Sequence, residues 1–306
     1  MKIAVFGGAG FIGSHFVDKA LASEQFEEVL IIDSLTYAGN QENISTSLVD
    51  PRVKFLKSDI LDSSEYENQI KNFDCAVNFA AESHVDRSID APLLFTQVNA
   101  LGASVIVNTC MKEKVGKFIQ VSTDEVYGSV VAGESTESSM IIPTSPYSAS
   151  KAAAEIMVMA YWRTFQYPVL ITRGCNTYGP RQYPEKLIPL AISRFKENLP
   201  VPQYGNGQQI REWIHVEDHA DAILTVALNG RAGETYNIGT RERIANRDIL
   251  DMISNSLRAD RRLITQVEDR PAHDFRYALD SSKIMDELGW KPLRNLPASL
   301  AECSNW

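Results

Sequence analysis

The sequence predicts an α/β fold, in which a doubly wound parallel sheet is followed by a smaller α+β part. Three observations support this fold class. Short apolar runs rich in β-branched residues recur along the first 172 residues, with helical patterns between them. A glycine-rich turn at residues 7–13 follows the first of these runs. After residue 178 the apolar runs become shorter, and proline and glycine interrupt the chain often, as is typical of a smaller mixed part.

The predicted strands are short and apolar on both faces, as expected for a sheet that lies between two layers of helices. They are residues 3–6, 29–32, 53–56, 75–79, 118–122 and 169–172. The helical patterns that alternate with them include residues 12–22, 100–111 and 148–163. We expect residues 1–172 to form one domain, and residues 173–306 to form a second part that interleaves with it.

Composition and charge limit the partners that the chain is expected to have. The 306 residues carry a net charge of −9 at pH 7, so nucleic acids and anionic membranes are not expected partners. No apolar run approaches about 18 residues, which predicts no membrane span, and the early first strand leaves no room for a signal peptide. Cys75, Cys110, Cys175 and Cys303 have neither CxxC nor disulfide-like spacing. We therefore expect a cytoplasmic protein.

The glycine-rich turn has features of a dinucleotide-binding turn. Residues 7–13 (GGAGFIG) lie between a predicted buried strand and a predicted amphipathic helix. One glycine permits the tight bend, one lets the backbone approach a pyrophosphate, and one lets the helix pack on the strand. A glycine-rich surface turn is the alternative. The strand–turn–helix context favours a Rossmann-type dinucleotide-binding domain over residues 1–172.

Acidic residues at the ends of the next two strands indicate which dinucleotide is bound. Asp33 ends the second predicted strand, twenty residues after Gly13. A carboxylate at this position accepts hydrogen bonds from a ribose diol and repels a 2′-phosphate, which favours NAD over NADP. Asp59 closes the third strand and is placed to meet the adenine. A simple role in the strand-end turn is the alternative for Asp33.

Tyr147 and Lys151 stand four residues apart at the start of a predicted helix, so their side chains share one face. An ammonium group about 5 Å from a phenol is expected to bring the pKa of the phenol from about 10 to near neutrality. Such a phenol can deprotonate an alcohol during hydride transfer. A surface lysine on an ordinary amphipathic helix is the alternative, and the glycine-rich turn upstream favours catalysis.

Thr123, Asp124 and Glu125 follow the fifth predicted strand, at the end where open α/β sheets place their ligands. The Thr123 hydroxyl can bond a reacting oxygen beside Tyr147. Oxidation of a sugar carbinol to a ketone acidifies the neighbouring C–H, so one carboxylate can remove that proton. A second, protonated carboxyl can then let a β-hydroxyl leave as water. A solvated surface pair is the alternative for Asp124 and Glu125.

Segments along nearly the whole chain resemble one enzyme family. The GxxGxxG spacing of residues 7–13 resembles the extended short-chain dehydrogenases/reductases. Further segments resemble the dTDP-glucose 4,6-dehydratases within that family: residues 33–40 (DSLTYAGN), 80–88 (AAESHVDRS), 122–128 (STDEVYG), 143–151 (PTSPYSASK), 211–219 (REWIHVEDH) and 269–274 (DRPAHD). The adjacent acids Asp124 and Glu125 are the part of this resemblance that is specific to the dehydratases.

The resemblance implies a hydro-lyase that uses NAD to convert dTDP-glucose to dTDP-4-keto-6-deoxyglucose. It implies Tyr147 as the base for C4 oxidation, assisted by Lys151 and Thr123. It implies Glu125 as the base at C5 and Asp124 as the acid at the C6 hydroxyl, before the hydride returns to C6. The alternatives are a dehydratase of another nucleotide sugar, a 4-epimerase or decarboxylase of the same fold, and a non-catalytic scaffold.

The resemblance also implies two sets of binding residues, and no metal site. The NAD set is Gly7, Gly10, Phe11, Ile12, Gly13, Asp33, Ser34, Leu35, Thr36, Asp59, Ile60, Ala80, Ala81, Ser83, Val98, Tyr147, Lys151 and Thr177. The sugar-nucleotide set, mostly in residues 173–306, is Ser83, Thr123, Asn176, Lys186, Leu187, Pro202, Tyr204, Arg211, Asn246, Asp269, Arg270 and His273. The guanidinium groups of Arg211 and Arg270 suit phosphate oxygens, and Tyr204 can stack on a base. Surface or packing roles are the alternatives.

Three features depart from this family. Thr177 stands where a second asparagine is usual, so an amide is lost from one cofactor contact. Ala272 replaces a usual glycine, and the chain ends at Trp306, before a final short helical segment. None of these changes touches the predicted catalytic set, so activity is expected. The sequence does not determine the nucleotide preference, because thymine and uracil differ by one methyl group.

Two predicted helices carry more apolar surface than one face requires. Residues 100–111 and 152–162 are apolar around much of their helical circumference. Such an excess is either buried within the fold or paired across a two-fold axis as a four-helix bundle. Together with the family resemblance, this pattern predicts a homodimer.

Overall fold

The computed structural model describes residues 1–271 and 273–303, which form twelve strands and ten α-helices. The strands are β1 (Lys2–Phe6), β2 (Glu28–Asp33), β3 (Val53–Lys57), β4 (Cys75–Asn78), β5 (Phe118–Thr123), β6 (Val169–Gly174), β7 (Asn176–Tyr178), β8 (Val201–Tyr204), β9 (Ile210–His215), β10 (Thr235–Ile238), β11 (Arg243–Ala245) and β12 (Ile264–Val267). The helices are α1 (Phe11–Ala22), α2 (Val85–Asp90), α3 (Pro92–Phe95), α4 (Gly102–Lys112), α5 (Pro146–Phe165), α6 (Leu187–Lys196), α7 (Val216–Asn229), α8 (Asn246–Leu257), α9 (Ser282–Leu288) and α10 (Leu296–Ala301). A π-helical segment, Thr96–Leu101, joins α3 to α4.

The main sheet has seven strands in the order β10-β6-β5-β4-β1-β2-β3, and every neighbouring pair in it is parallel. The predicted doubly wound parallel sheet is confirmed, and the six predicted strands are β1 to β6. The chain leaves β1 towards one edge and returns to β4 on the other side. Ligands of such sheets bind in the crevice outside the carboxyl ends of the strands at this reversal.

The alternation of side chains along each central strand explains why the strands are apolar on both faces. In β1, Ile3 and Val5 belong to one core cluster, whereas Ala4 and Phe6 belong to another on the opposite face of the sheet. All four residues are fully buried. Two helical layers therefore cover the sheet, and both layers need apolar partners from the strands.

The later part of the chain contributes to the main sheet and also has a core of its own. The predicted division after residue 172 lies inside β6, and β10 pairs with β6 at the edge of the sheet. Helix α7 packs on α1. A third apolar cluster gathers residues of α6, α8 and β9, among them Ile192, Ile249 and Trp213. A small sheet of β11, β9 and β7 connects this cluster to the carboxyl edge of the main sheet.

One helical segment is more apolar than the sequence analysis expected. In the described part of the chain, Pro92–Lys112 is the one helix that is long and apolar enough to cross a membrane by length and composition, and 44% of its most apolar window is buried. The expectation that no such stretch exists is therefore wrong. It overlooked this segment because Thr96, Gln97 and Asn99 interrupt the apolar run without lowering its average enough. Buried helices in the cores of soluble proteins pass the same test.

Candidate active site

The glycine-rich turn connects β1 to α1 and leaves the N-terminus of the helix open. Gly7 has φ +74°, a conformation that favours glycine. A Cβ atom on Gly13 would lie 2.3 Å from the Gly7 carbonyl oxygen, so a side chain does not fit there. Gly10 caps α1 without a side-chain hydrogen bond, and the first turn has no acidic residue. The free N–H groups and the helix dipole at this end therefore suit a pyrophosphate, and the turn fits a dinucleotide.

Asp33 lies at the end of β2 and organises two loops. Its Oδ1 accepts a hydrogen bond from Leu35 N at 2.8 Å, and its Oδ2 accepts one from Ala9 N at 2.9 Å. Burial raises the pKa of Asp33, although these two backbone donors act in the opposite direction. Asp33 thus makes the contacts of a strand-end turn residue, and each oxygen keeps a lone pair that a ribose hydroxyl can use.

The other predicted cofactor residues follow the ends of β2, β3 and β4 or lie in the helix beside them. Asp59 accepts a hydrogen bond from Leu61 N at 2.9 Å, and the Ile60 side chain packs into the core. The loop after β4 is held by Asn99 of the π-helical segment. Its amide accepts from Glu82 N at 2.8 Å and donates to Glu82 O at 3.0 Å. The neighbouring Val98 packs against the core of the sheet.

Helix α5 brings Tyr147 and Lys151 to the end of β5. The helix begins at Pro146 because Ser145 and Ser148 form a reciprocal capping box. Lys151 Nζ donates a hydrogen bond of 2.7 Å to Val121 O in β5. Tyr147, in the first turn, is hydrogen-bonded to Thr123. The structure therefore gathers Tyr147, Lys151 and Thr123 at one place.

The protonation of Tyr147 differs from the expectation. Burial raises the pKa of the Tyr147 phenol above its usual value, and the nearby Glu125 acts in the same direction. Burial also lowers the pKa of Lys151 to about 8. The Lys151 ammonium bonds a backbone carbonyl and not the phenol. The prediction that Lys151 brings the phenol to near neutrality is therefore wrong for the protein's own groups, because desolvation outweighs the attraction to the ammonium.

Asp124 and Glu125 begin a short 3-10 segment, Asp124–Tyr127, directly after β5. The Thr123 hydroxyl donates to Asp124 Oδ1 at 3.1 Å. Asp124 is 2% exposed, and its Oδ2 has no hydrogen-bond partner among the described residues. Glu125 is half-buried. The two carboxyl groups therefore do not form a solvated surface pair.

The two carboxyl groups have neighbours of opposite charge. Burial raises the pKa of Asp124 well above its usual value, and the carboxylates of Glu125 and Glu212 raise it further. Burial also raises the pKa of Glu125, but the cations Arg270, Arg211 and Lys186 lower it. Asp124 is therefore the group that holds a proton, and Glu125 is the group that ionises more readily.

These side chains face a cavity of about 420 Å³ at the carboxyl edge of the main sheet, which we call the main cavity. The predicted residues that line it are Phe11, Ile12, Ser83, Thr123, Asp124, Glu125, Tyr147, Asn176, Thr177, Lys186, Leu187, Pro202, Tyr204, Arg211, Asn246, Arg270 and His273. The predicted residues that do not line it are Gly7, Gly10, Gly13, Asp33, Ser34, Leu35, Thr36, Asp59, Ile60, Ala80, Ala81, Val98, Lys151 and Asp269. Most of the second group lie at the glycine-rich turn or in the loops after β2, β3 and β4.

Three cations on the cavity wall differ in how many donors they keep free. Lys186 Nζ donates to Ser83 O at 2.5 Å, and burial lowers its pKa. Arg211 is 3% exposed, and both terminal nitrogens of its guanidinium donate to backbone carbonyls, at 2.9 Å and 2.8 Å. Arg270 Nε is buried without a partner in the described part of the chain. The expected fork of donors towards a phosphate is therefore more available on Arg270 than on Arg211.

At the far end of the cavity, Tyr204 and His273 are fixed by acidic residues. The Tyr204 hydroxyl donates to Asp86 Oδ2 at 3.1 Å, and Arg270 lies 3.6 Å from the other oxygen of Asp86. His273 Nδ1 lies 2.5 Å from Asp269 Oδ1. Asp269 thus acts on the cavity through His273. Burial lowers the pKa of His273, so the ring is neutral at pH 7.

The cavity wall also contains residues that the sequence analysis did not predict. They are His84, Val85, Asp86, Ser122, Gly174, Cys175, Gln182, Glu185, Ile188, Leu190, Trp213 and His219. Asp86 and His219 lie in two of the segments that carry the family resemblance, so their position in those segments was an available signal. Gly174 and Gln182 carried no such signal, because only the fold brings them to the cavity.

Of the three departures from the family, the structure describes one. Thr177 Oγ1 lies 2.7 Å from His219 Nδ1 and donates towards Cys175 O at 3.2 Å. Ala272 and the chain end at Trp306 lie outside the described residues. Within the residues that are described, no group of three or more His, Cys, Asp or Glu side chains could hold a metal ion.

The fold and this site define an enzyme of the short-chain dehydrogenase/reductase class, with a dinucleotide turn and a Tyr–Lys pair on one cavity. The chain belongs to the GDP-mannose 4,6 dehydratase family, whose profile matches residues 4–303. The predicted family resemblance is confirmed.

Individual relatives support this assignment. The chain is 41% identical to a dTDP-glucose 4,6-dehydratase from Actinoplanes sp., over all of this chain and 97% of that protein. It superposes on the dTDP-glucose 4,6-dehydratase DesIV from Streptomyces venezuelae, solved with NAD bound, with TM-score 0.98, 45% identity, and coverage of 100% and 96% of the two chains. It is also similar to the UDP-glucose 4-epimerase of Thermus thermophilus, with TM-score 0.91, 29% identity, and coverage of 100% and 98%.

Proposed function

We propose that the chain is an NAD-dependent dTDP-glucose 4,6-dehydratase, a hydro-lyase that forms dTDP-4-keto-6-deoxyglucose. The identity of 41% to the Actinoplanes dehydratase over the full chain supports this assignment. So does the TM-score of 0.98 with DesIV, which binds NAD. The open N-terminus of α1 and the side-chain-free Gly13 supply the backbone donors and the space that the dinucleotide needs.

The observation that carries the proposal is the opposite charge environment of two adjacent carboxyl groups. Asp124 lies among carboxylates and retains a proton, whereas Glu125 lies among cations. Elimination of water needs an acid and a base side by side. A 4-epimerase or a decarboxylase has no use for both groups, so the pair favours a dehydratase over these two enzymes.

Each protein group then has one proton to move. Tyr147, hydrogen-bonded to Thr123, takes the proton of the C4 hydroxyl. Glu125 takes the C5 proton once C4 is a ketone, and Asp124 gives its proton to the C6 hydroxyl, which leaves as water. NAD, when bound, supplies a hydride acceptor and a positive charge near the phenol. Lys151 holds α5 against β5, and so fixes the position of Tyr147.

The rest of the cavity supports a nucleoside diphosphate as the leaving half of the substrate. Arg270 Nε is buried and unpartnered among the described residues, and Lys186 lies on the same wall. A diphosphate brings the negative charge that these two cations need. Tyr204 is 38% exposed and offers a ring face for a pyrimidine base. Thymine is the base in this proposal because the curated relative acts on dTDP-glucose.

A homodimer is also part of the proposal. Leu93 and Leu101, near or in the π-helical segment, are 82% and 53% exposed. Ile156 and Met157 on α5 are 62% and 43% exposed, and α4 packs beside α5. Apolar surface of this extent on two neighbouring helices is typical of an interface between subunits. Light scattering is expected to give twice the mass of the chain, and a monomer mass would contradict the dimer.

We also propose a cytoplasmic location. Cys75, Cys110, Cys175 and Cys303 are all free and buried. Free thiols are typical of proteins in a reducing compartment. Fractionation of the source cells is expected to recover the protein with cytoplasmic markers, and recovery with membranes would contradict this location.

Incubation of the purified protein with dTDP-glucose tests the proposed activity, because 4-keto-6-deoxy sugars give a chromophore in alkali. We expect this product from dTDP-glucose, with UDP-glucose a poorer substrate by about fivefold, as the loss of one buried methyl group implies. Formation of dTDP-galactose without the chromophore would instead assign a 4-epimerase. Binding of NAD and dTDP-glucose without turnover would assign the scaffold.

A further inference from the structure

We propose that His219, held in place by Thr177, is a further cofactor-binding residue of the main cavity. This inference rests on the NAD dependence proposed above. It concerns a side chain that the sequence analysis did not predict, and a position at which this chain lacks the usual asparagine.

The position and burial of His219 indicate a ligand contact. His219 lies in the first turn of α7 and is 2% exposed, yet it lines the main cavity together with Phe11 and Gly174. Phe11 begins α1 directly after the glycine-rich turn, so this is the cofactor end of the cavity. His219 Nε2 has no hydrogen-bond partner in the described part of the chain. A buried ring nitrogen without a partner is costly until a ligand or water satisfies it.

The ring of His219 is fixed from two sides. Thr177 Oγ1 lies 2.7 Å from Nδ1. A Cβ atom on Gly174 would lie 2.4 Å from Nε2, so the ring can lie against the end of β6 only because this residue is glycine. Both contacts come from the segment that carries the predicted cofactor residue Thr177. His219 is therefore oriented before any ligand arrives.

The hydrogen bonds of Thr177 determine which ring nitrogen carries the hydrogen. A threonine hydroxyl has a single proton, and its contact to Nδ1 at 2.7 Å is shorter than its contact to Cys175 O at 3.2 Å. We therefore assign Thr177 as the donor to Nδ1, which leaves the hydrogen on Nε2. Burial lowers the pKa of His219 to about 4, so the ring is neutral at pH 7. Its free N–H suits an oxygen of the dinucleotide and replaces the donor lost with the asparagine amide.

Asparagine and glutamine separate the two ring nitrogens. The asparagine amide occupies the place of Nδ1, and the glutamine amide reaches the place of Nε2. His219→Asn thus keeps a partner for Thr177 and loses the donor to the cavity, whereas His219→Gln keeps that donor. We would titrate the full chain, freed of nucleotide, with NAD⁺ in a calorimeter. We expect His219→Asn to weaken NAD⁺ binding about five- to tenfold, the effect of one uncharged hydrogen bond. His219→Gln is expected to stay within about twofold of the parent.

Two controls separate this role from a structural one. Affinity for dTDP is expected to stay unchanged in both variants, and Thr177→Ser is expected to bind NAD⁺ more tightly than Thr177→Val. Unchanged NAD⁺ affinity in His219→Asn would overturn the proposal, as would equal weakening of NAD⁺ and dTDP binding. The titration needs no turnover. A parent protein that binds NAD⁺ but does not dehydrate dTDP-glucose would therefore contradict the proposed function and leave this inference standing.

Discussion

The Thr123 hydroxyl donates a hydrogen bond of 3.1 Å to one carboxyl oxygen of Asp124, and the other oxygen has no partner among the described residues. The same hydroxyl is bonded to the Tyr147 phenol. One hydroxyl therefore connects the base proposed for C4 to the acid proposed for C6. The free oxygen of Asp124 is the atom from which a proton can reach a substrate hydroxyl.

Asp124→Asn keeps the shape of the side chain and removes the acid. General acid catalysis contributes about 10²- to 10⁴-fold, so we expect the dehydration rate to fall by at least about 100-fold. Oxidation at C4 does not need Asp124, so reduced cofactor is expected to accumulate in the absorbance spectrum. The exposed Asp90 provides the matched control, and Asp90→Asn is expected to keep full activity. A normal rate for Asp124→Asn would remove this residue from the mechanism.

Glu125→Gln removes the base proposed for C5. We expect the overall rate to fall by about 10²- to 10⁴-fold and the exchange of the C5 hydrogen with solvent to stop, because no other group takes that proton. Exchange is measured by mass spectrometry of sugar recovered from heavy water. Glu24→Gln, at an exposed site, is the control. Continued exchange at C5 in Glu125→Gln would show that another residue is the base.

Lys151 is expected to make stability depend on pH. Its pKa falls from 10.5 to about 8 on burial, so between these values the unfolded chain binds more protons and stability rises with pH. Below pH 8 the buried ammonium costs on the order of 3 kcal/mol, partly offset by its bond to Val121. Lys151→Met is therefore expected to be inactive but more resistant to urea at pH 7, with a gain that shrinks towards pH 10. Lys71→Met, at an exposed site, should show no gain. Lower resistance of Lys151→Met at pH 7 would contradict this prediction.

A buried ion pair one turn further along α5 is expected to dominate the stability of this region. Arg173 binds Glu155 through two nitrogens, at 3.0 Å and 2.6 Å, and the side chains are 6% and 2% exposed. Arg173→Met leaves a buried carboxylate unpaired, which is expected to cost about 3–5 kcal/mol. Urea unfolding of the single variants and of the double variant Glu155→Leu/Arg173→Met measures this coupling.

The double variant is expected to recover part of the loss, because it buries no charge. Removal of Arg262, whose side chain is 91% exposed in its pair with Asp260, is the control and should change nothing measurable. A loss in the double variant equal to the sum of the two single losses would contradict the coupling.

The sequence was sufficient for the features that depend on local pattern. The six apolar runs and the glycine-rich turn predict the parallel sheet and its carboxyl edge, because period and composition determine which segments can be covered on both faces. Thr123 and Asp124 follow a strand directly, so their position at that edge follows from the strand assignment. The capping box at Ser145 similarly fixes where α5 begins.

The sequence was insufficient for features that depend on distant neighbours. The charge difference between Asp124 and Glu125 arises from Glu212 on one side and Arg270 on the other, far away along the chain. The raised pKa of Tyr147 results from burial, which spacing to Lys151 does not reveal. The contact between Thr177 and His219 requires the folded β7 and α7.

Dehydration of dTDP-glucose that carries deuterium at C4 tests most directly whether Asp124 and Glu125 eliminate water beside a transient ketone. The reaction is run in ordinary water, and the product is analysed by NMR. We predict a 4-keto-6-deoxy sugar that carries the deuterium at C6 and a solvent hydrogen at C5. A product that keeps oxygen at C6 and deuterium at C4, with inverted configuration at C4, would contradict the dehydration.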